Sequence, residues 1–140
     1  KVVAHMPAPI TVFVVDGDES VLHAMARLMR ADGFQAVCVS SIDDLLKCDL
    51  PSHGIVLLVD VRTARQSGTS LHEQLNTRGL SPPVIYLTDC DTERSRRQAT
   101  LAGAAGYFRK PVDEQALSDA ITFEIQRGQC PGFHELQGSK

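Results

Sequence analysis

Along the chain, short runs of β-branched and aliphatic residues alternate with stretches in which apolar positions return every three or four residues. The runs read as strands buried on both faces and the stretches as amphipathic helices. Five runs stand out: Ile10 to Val15, Gln35 to Val39, Ile55 to Asp60, Pro83 to Thr88 and Ala105 to Arg109. The second and fifth are the weaker ones. Between the first two, Val21, Leu22, Met25, Leu28 and Met29 recur at helical spacing, and Gly33 follows as a stop. After Pro111 as a boundary and Asp113 as a cap, Leu117, Ala120, Ile121 and Ile125 give the last helix an apolar stripe; Phe123 falls off it. The stretch from Asp91 to about Ala102 lacks large apolar residues and carries Arg94, Arg96 and Arg97, so it is expected to be the least firmly held helix. The strand–helix rhythm predicts an α/β protein, a doubly wound parallel sheet with helices on both faces.

At 140 residues the chain suits a single core, so one domain is expected over residues 10–127. Residues 1–9 read as an N-terminal extension and 128–140 as a tail. Lys1-Val2-Val3-Ala4-His5-Met6 lacks an initiator at its start and reads as a cloning junction, with Met6 as the native beginning. With 43% hydrophobic and 22% charged residues, the composition excludes disorder, collagen and disulfide scaffolds. A net charge of -3 supplies no general attraction to phosphate backbones, which argues against direct nucleic-acid binding. No apolar run approaches the roughly 20 residues of a membrane-spanning helix, and no signal pattern opens the chain, so a cytoplasmic location is expected. Cys38, Cys48, Cys90 and Cys130 form no C-x-x-C pair and read as reduced, mostly buried thiols. His5, His23, His53, His72 and His134 lack metal-ligand spacing.

In an open parallel sheet, functional groups gather where the strands end. The first strand ends in Asp16, the third in Asp60, the fourth in Thr88, and the fifth runs into Lys110. Two carboxylates about 4 Å apart repel by roughly 4 kcal/mol at an effective dielectric of 20, so they favour a shared divalent cation or a neighbouring lysine. Mg²⁺ suits such a site, because it takes hard oxygen ligands, keeps several waters and uses one or two carboxylates together with phosphate oxygens. Phosphoryl transfer to an aspartate needs such a set, with Lys110 and Thr88 holding the remaining phosphoryl oxygens.

These residues resemble the receiver, or response-regulator, family, and most closely its group with an Arg two positions after the phosphoacceptor. The marks are Val14-Val15-Asp16, Val59-Asp60-Val61-Arg62, Ser67-Gly68, Val84 to Thr88, and Ala102 to Pro111, spread over about residues 10 to 126. The resemblance implies a five-stranded sheet of order 2-1-3-4-5 with five helices in a three-layer sandwich. It implies Asp60 as phosphoacceptor, Asp16 and the backbone carbonyl of Arg62 as Mg²⁺ ligands, Thr88 as switch hydroxyl, Lys110 as phosphate contact and Tyr107 as aromatic switch. Lys110-Pro111 matches a family pair that is often cis. The implied partner is a sensor histidine kinase or phosphotransfer protein in a bacterial phosphorelay. The chain would be a phosphoacceptor with at most slow self-catalysed chemistry, and would form a homodimer through the surface of the fourth helix, fifth strand and last helix. Arg94 and Arg97 are candidate interface residues there, or a solvated helix face; Phe123 is another, or packs under the tail.

The sequence departs from the family at three places. Gly17 stands where a second acid normally ligates the metal, a loss expected to weaken Mg²⁺ by at least about 10 to 100-fold. Asp18 either compensates, turning back over the flexible glycine, or caps the first helix. Thr63-Ala64 replaces a common Met-Pro pair, and Asp89 and Cys90 follow Thr88. Two other readings stay open. A pseudo-receiver would keep the fold as a docking or dimerisation module without phosphorylation. Alternatively, Asp16-Gly17-Asp18-Glu19-Ser20 looks like the opening motif of haloacid-dehalogenase-type phosphatases, with Asp16 as nucleophile, which leaves Asp60 unexplained.

Overall fold

In the computed structural model, residues 9–68 and 70–128 are described. Five strands, β1 (Thr11–Val15), β2 (Gln35–Val39), β3 (Ile55–Asp60), β4 (Val84–Thr88) and β5 (Gly106–Arg109), form one parallel sheet of order β2-β1-β3-β4-β5. The expected strand order is therefore found. The three apolar runs are the three central strands, and β3 is buried at all six positions. The two weaker runs, β2 and β5, are the edges, where one flank has no partner strand and side chains stay partly exposed.

Alternation along the strands divides the core in two. Val12, Val14, Val56, Leu58, Ile85 and Leu87 face α1 (Glu19–Ala31) and α6 (Glu114–Gly128), meeting Leu22, Met29, Leu117 and Ile121. Phe13, Val15, Leu57, Val59, Val84 and Tyr86 face the opposite layer, formed by α2 (Ile42–Lys47), α4 (Leu71–Thr77) and α5 (Glu93–Ala102). The result is the expected three-layer sandwich. Each fully buried Leu or Ile contributes roughly 1.5 to 3 kcal/mol of transfer free energy, so the strand side chains carry most of the driving force.

The helix count corrects the expectation of five: among the described residues there are six. The β3–β4 connection is broken into α3 (Val61–Gln66) and α4, because Ser67 closes the first, Gly68 adopts a φ of +75°, and the Ser70 hydroxyl caps the second by accepting from the Glu73 N–H. The helix expected to be loosely held, α5, buries only Ser95 and Ala99, and its Leu101 is 80% exposed. Asp113 accepts from the Ala116 N–H at the start of α6, as a cap would. Phe123 is exposed. The cysteines also correct the reading: Cys38 and Cys48 are half-buried and Cys90 is exposed, since β2 is an edge strand and Cys90 sits in the loop after β4. Cys130, His5, His134, the junction at Met6 and all but the first residue of the 128–140 tail lie outside the described residues. No helix among the described residues is long and apolar enough to cross a membrane.

Candidate functional site

The site lies at the carboxyl ends of β1, β3, β4 and β5. Asp16 follows β1, Asp60 ends β3 and Thr88 ends β4. Lys110 follows β5, and its backbone N–H donates to the Thr88 carbonyl at 2.8 Å, which extends the sheet by one rung. The Lys110–Pro111 peptide is cis. From there the Lys110 ammonium donates to Asp16 Oδ2 at 2.7 Å and to Asp60 Oδ1 at 2.9 Å. Three of the predicted residues are thus one ion-paired unit. Its side chains are 6%, 8% and 13% exposed for Asp16, Asp60 and Lys110.

Burial by itself would push the Asp60 carboxyl up, but hydrogen bonds from Lys110 and Thr63 and the Lys110 charge outweigh it and hold Asp60 below the usual carboxylate value. Burial would likewise push Lys110 down; its bonds to Asp16 and Asp60 outweigh that and raise it. Both groups are therefore charged at neutral pH.

Thr63 is a site residue that reading the sequence missed. Asp60 caps α3: its Oδ2 accepts from both the Thr63 N–H and the Thr63 hydroxyl, each at 3.0 Å. The same hydroxyl accepts from the Gly17 N–H at 3.0 Å, across 46 residues of sequence. The signal was present in local form, because an Asp three positions before a Thr at a strand-to-helix junction has the spacing of a helix cap.

The remaining predicted residues are more dispersed. Asp18 caps α1, its Oδ1 accepting from the Ser20 N–H at 2.9 Å and the Ser20 hydroxyl at 2.7 Å, and these bonds lower its pKa. Its own N–H donates to Asp16 Oδ1 at 2.9 Å. The Thr88 hydroxyl donates to the Cys90 carbonyl at 3.0 Å and so is turned into the loop after β4. Tyr107 is half-buried; its hydroxyl is buried without a hydrogen-bond partner among the described residues, and the Arg96 guanidinium carbon lies 5.8 Å from its ring centre. Arg62 and Arg94 line a cleft of about 450 Å³ together with Asp60 and Thr88. Arg97 pairs with Glu93 at 3.3 Å on the solvated side of α5.

A second cleft, of about 670 Å³, opens over Asp16, Asp18, Asp60, Arg62, Thr63 and Lys110. Among the described residues no three His, Cys, Asp or Glu side chains are grouped to hold a metal ion. The donors do suit Mg²⁺ bound through two carboxylates and water. Asp16 accepts two hydrogen bonds and Asp60 three, against roughly four lone-pair positions on each carboxylate.

The sequence model of the response regulator receiver domain matches residues 12–122. This chain belongs to that family. Receiver domains of the family generally bind Mg²⁺, and response regulators are phosphorylated by histidine kinases. The receiver is 35% identical over 112 residues to the transcriptional regulatory protein TdiR of Thauera aromatica, covering 79% of this chain and 49% of that protein. It is 30% identical over 131 residues to the response regulator TodT of Pseudomonas putida, covering 90% and 58%. The chain therefore spans about half the length of the curated relatives it matches. Among solved structures, the response regulator StyR superposes with a TM-score of 0.72 at 32% identity, covering 94% of this chain and 67% of that one. The FixJ-N structure does so with 0.75 at 25% identity, covering 86% and 96%. The fold and these relatives place the receiver in two-component signal transduction; they favour neither the docking-module nor the phosphatase alternative.

Proposed function

We propose that Asp60 accepts a phosphoryl group from the phosphohistidine of a sensor kinase or phosphotransfer protein in the bacterial cytoplasm. The observation that carries this reading is the Asp16–Lys110–Asp60 unit, which holds an ionised carboxylate at the mouth of an open cleft. In the reaction an Asp60 carboxylate oxygen attacks phosphorus, the P–N bond breaks, and its electron pair stays on the departing imidazole nitrogen. Lys110, already within hydrogen-bond reach of Asp60, pairs with the transferred oxygens as charge gathers on them. Mg²⁺, held by Asp16, Asp60 and the Arg62 carbonyl, would neutralise charge on the phosphoryl group. Asp18 is left to its cap.

The new charge at Asp60, roughly -1.5 to -2, would draw the Thr88 hydroxyl away from the Cys90 carbonyl and let Tyr107, whose hydroxyl has no bond to lose, change position. The readout would be contacts across α5, β5 and α6, where Arg94, Arg97 and Phe123 are available for a homodimer. The curated relatives are transcriptional or response regulators of which the match covers 49% and 58%, so the output of the whole protein is proposed to be transcriptional control.

Intact mass after incubation with a small phosphoryl donor and Mg²⁺ tests this. One added phosphoryl group, absent in Asp60→Asn, is the expected result. An adduct kept in Asp60→Asn would move the chemistry to another side chain, and no adduct at any Mg²⁺ concentration would overturn the proposal.

A further inference from the structure

Gly17 and Thr63 are two of the family departures, and the structure joins them by a hydrogen bond. The Thr63 side chain is buried, and its hydroxyl has one proton to give and lone pairs to receive with. The proton goes to Asp60 Oδ2 and a lone pair takes the Gly17 N–H. The hydroxyl is therefore fixed in direction, and it ties the β1–α1 loop to Asp60 at the oxygen that Lys110 does not hold. A Cβ placed on Gly17 would stand 3.6 Å from the Thr63 hydroxyl oxygen, so that hydroxyl bounds the room available to a side chain at 17.

We infer that Thr63 is a positioning residue, matched to Gly17, that fixes the Asp60 carboxylate by a hydroxyl link in a pocket lacking the usual second acid. The inference rests on Asp60 as phosphoacceptor and adds how this chain orients it. Two consequences follow from the charges. The unit around Lys110 offers a cation two carboxylates, Asp16 and Asp60, where an acid at 17 would add a third, so cation affinity is sacrificed. Orientation of Asp60 is kept, because its Oδ2 holds two donors from Thr63 while Oδ1 holds Lys110. A thioether at 63 would supply no donor to Asp60 and only a weak acceptor for Gly17.

The test compares wild type with Thr63→Val, Thr63→Ser and, should the valine variant not fold, Thr63→Ala. Removal of the hydroxyl is expected to slow phosphorylation by a small donor at saturating Mg²⁺ about tenfold, the equivalent of one hydrogen bond to a charged group, while Thr63→Ser stays within about twofold of wild type. Independently of any reaction, the Gly17 amide proton is expected to move upfield in Thr63→Val or Thr63→Ala and to return in Thr63→Ser. Calorimetric Mg²⁺ titration completes the set: Gly17→Asp is expected to gain less affinity alone than in the Thr63→Val background, because the pair is coupled. An unmoved Gly17 amide with an unchanged rate, or strictly additive Mg²⁺ affinities, overturns the inference. A wild type that takes no phosphoryl group defeats the Asp60 reading instead, and the amide shift still decides whether the link exists.

Discussion

At the scale of single side chains, Lys110 bonds two buried carboxylates at once. Lys110→Met is expected to cost about 3 kcal/mol in urea unfolding at pH 7, the scale set by leaving a buried charge without its partner. The pH dependence has a definite sign. Asp60 is held below its unfolded value, so its contribution is present above about pH 4 and is lost as pH falls through the folded value. Lys110 is raised, so its contribution is present below about pH 10.4 and is lost as pH rises through the folded value. The stability difference between wild type and Lys110→Met should accordingly be widest between those limits and shrink below about pH 4; a difference that stays flat to pH 3 would contradict the ion-pair account. Most of this unit was legible in the sequence, because an acid at the end of each of two strands and a lysine after a third are fixed by the sheet's direction. Thr63 was legible only as the third residue after a capping Asp60, since its bond to Gly17 reaches a different loop.

At the level of elements, α5 differs from its neighbours. It is ten residues long and buries two small side chains, whereas α1 buries Leu22, Ala26 and Met29. Its fixed points are the Thr92 cap, which accepts from the Ser95 N–H at 3.0 Å, and the Ser95 hydroxyl, which accepts from Arg65 at 2.7 Å. Amides of α5 are therefore expected to exchange hydrogen well before those of α1, and Thr92→Ala should lower stability by about 1 kcal/mol and hasten exchange across α5. Exchange in α1 as fast as in α5 would refute this. The poor apolar content of the stretch was visible in sequence, and so was its low burial. The division of the β3–β4 connection into α3 and α4 was not, because it is made by Gly68 at a φ of +75° and by the Ser70 cap, neither of which apolar periodicity registers.

For the whole molecule, the two-sided core makes the central strands the seat of stability and the outer helix faces nearly neutral. Leu58→Ala, at a wholly buried position in β3, is expected to cost about 3 to 4 kcal/mol in denaturant unfolding. Phe123→Ala, at a residue of α6 that is 57% exposed, should change stability by no more than about 0.5 kcal/mol. A large effect at Phe123 at low protein concentration would show that this ring packs within the chain rather than serving as an outer surface.

The sequence by itself determined the number and order in chain of the strands, the layer architecture, and the sheet edge where Asp16, Asp60, Thr88 and Lys110 meet. Those properties follow from periodicity and from the direction of parallel strands, and both are local. Only the tertiary structure decided which carboxylate oxygen takes the ammonium, that Asp18 is spent on its cap, that the Thr88 hydroxyl is bound to Cys90, and that Thr63 links Gly17 to Asp60. The two ammonium bonds and the Gly17–Thr63 bond are contacts across 46 to 94 residues, whereas the Asp18 and Thr88 bonds are local. Even for those two, several hydrogen-bond partners lie within reach along the chain, and packing selects among them.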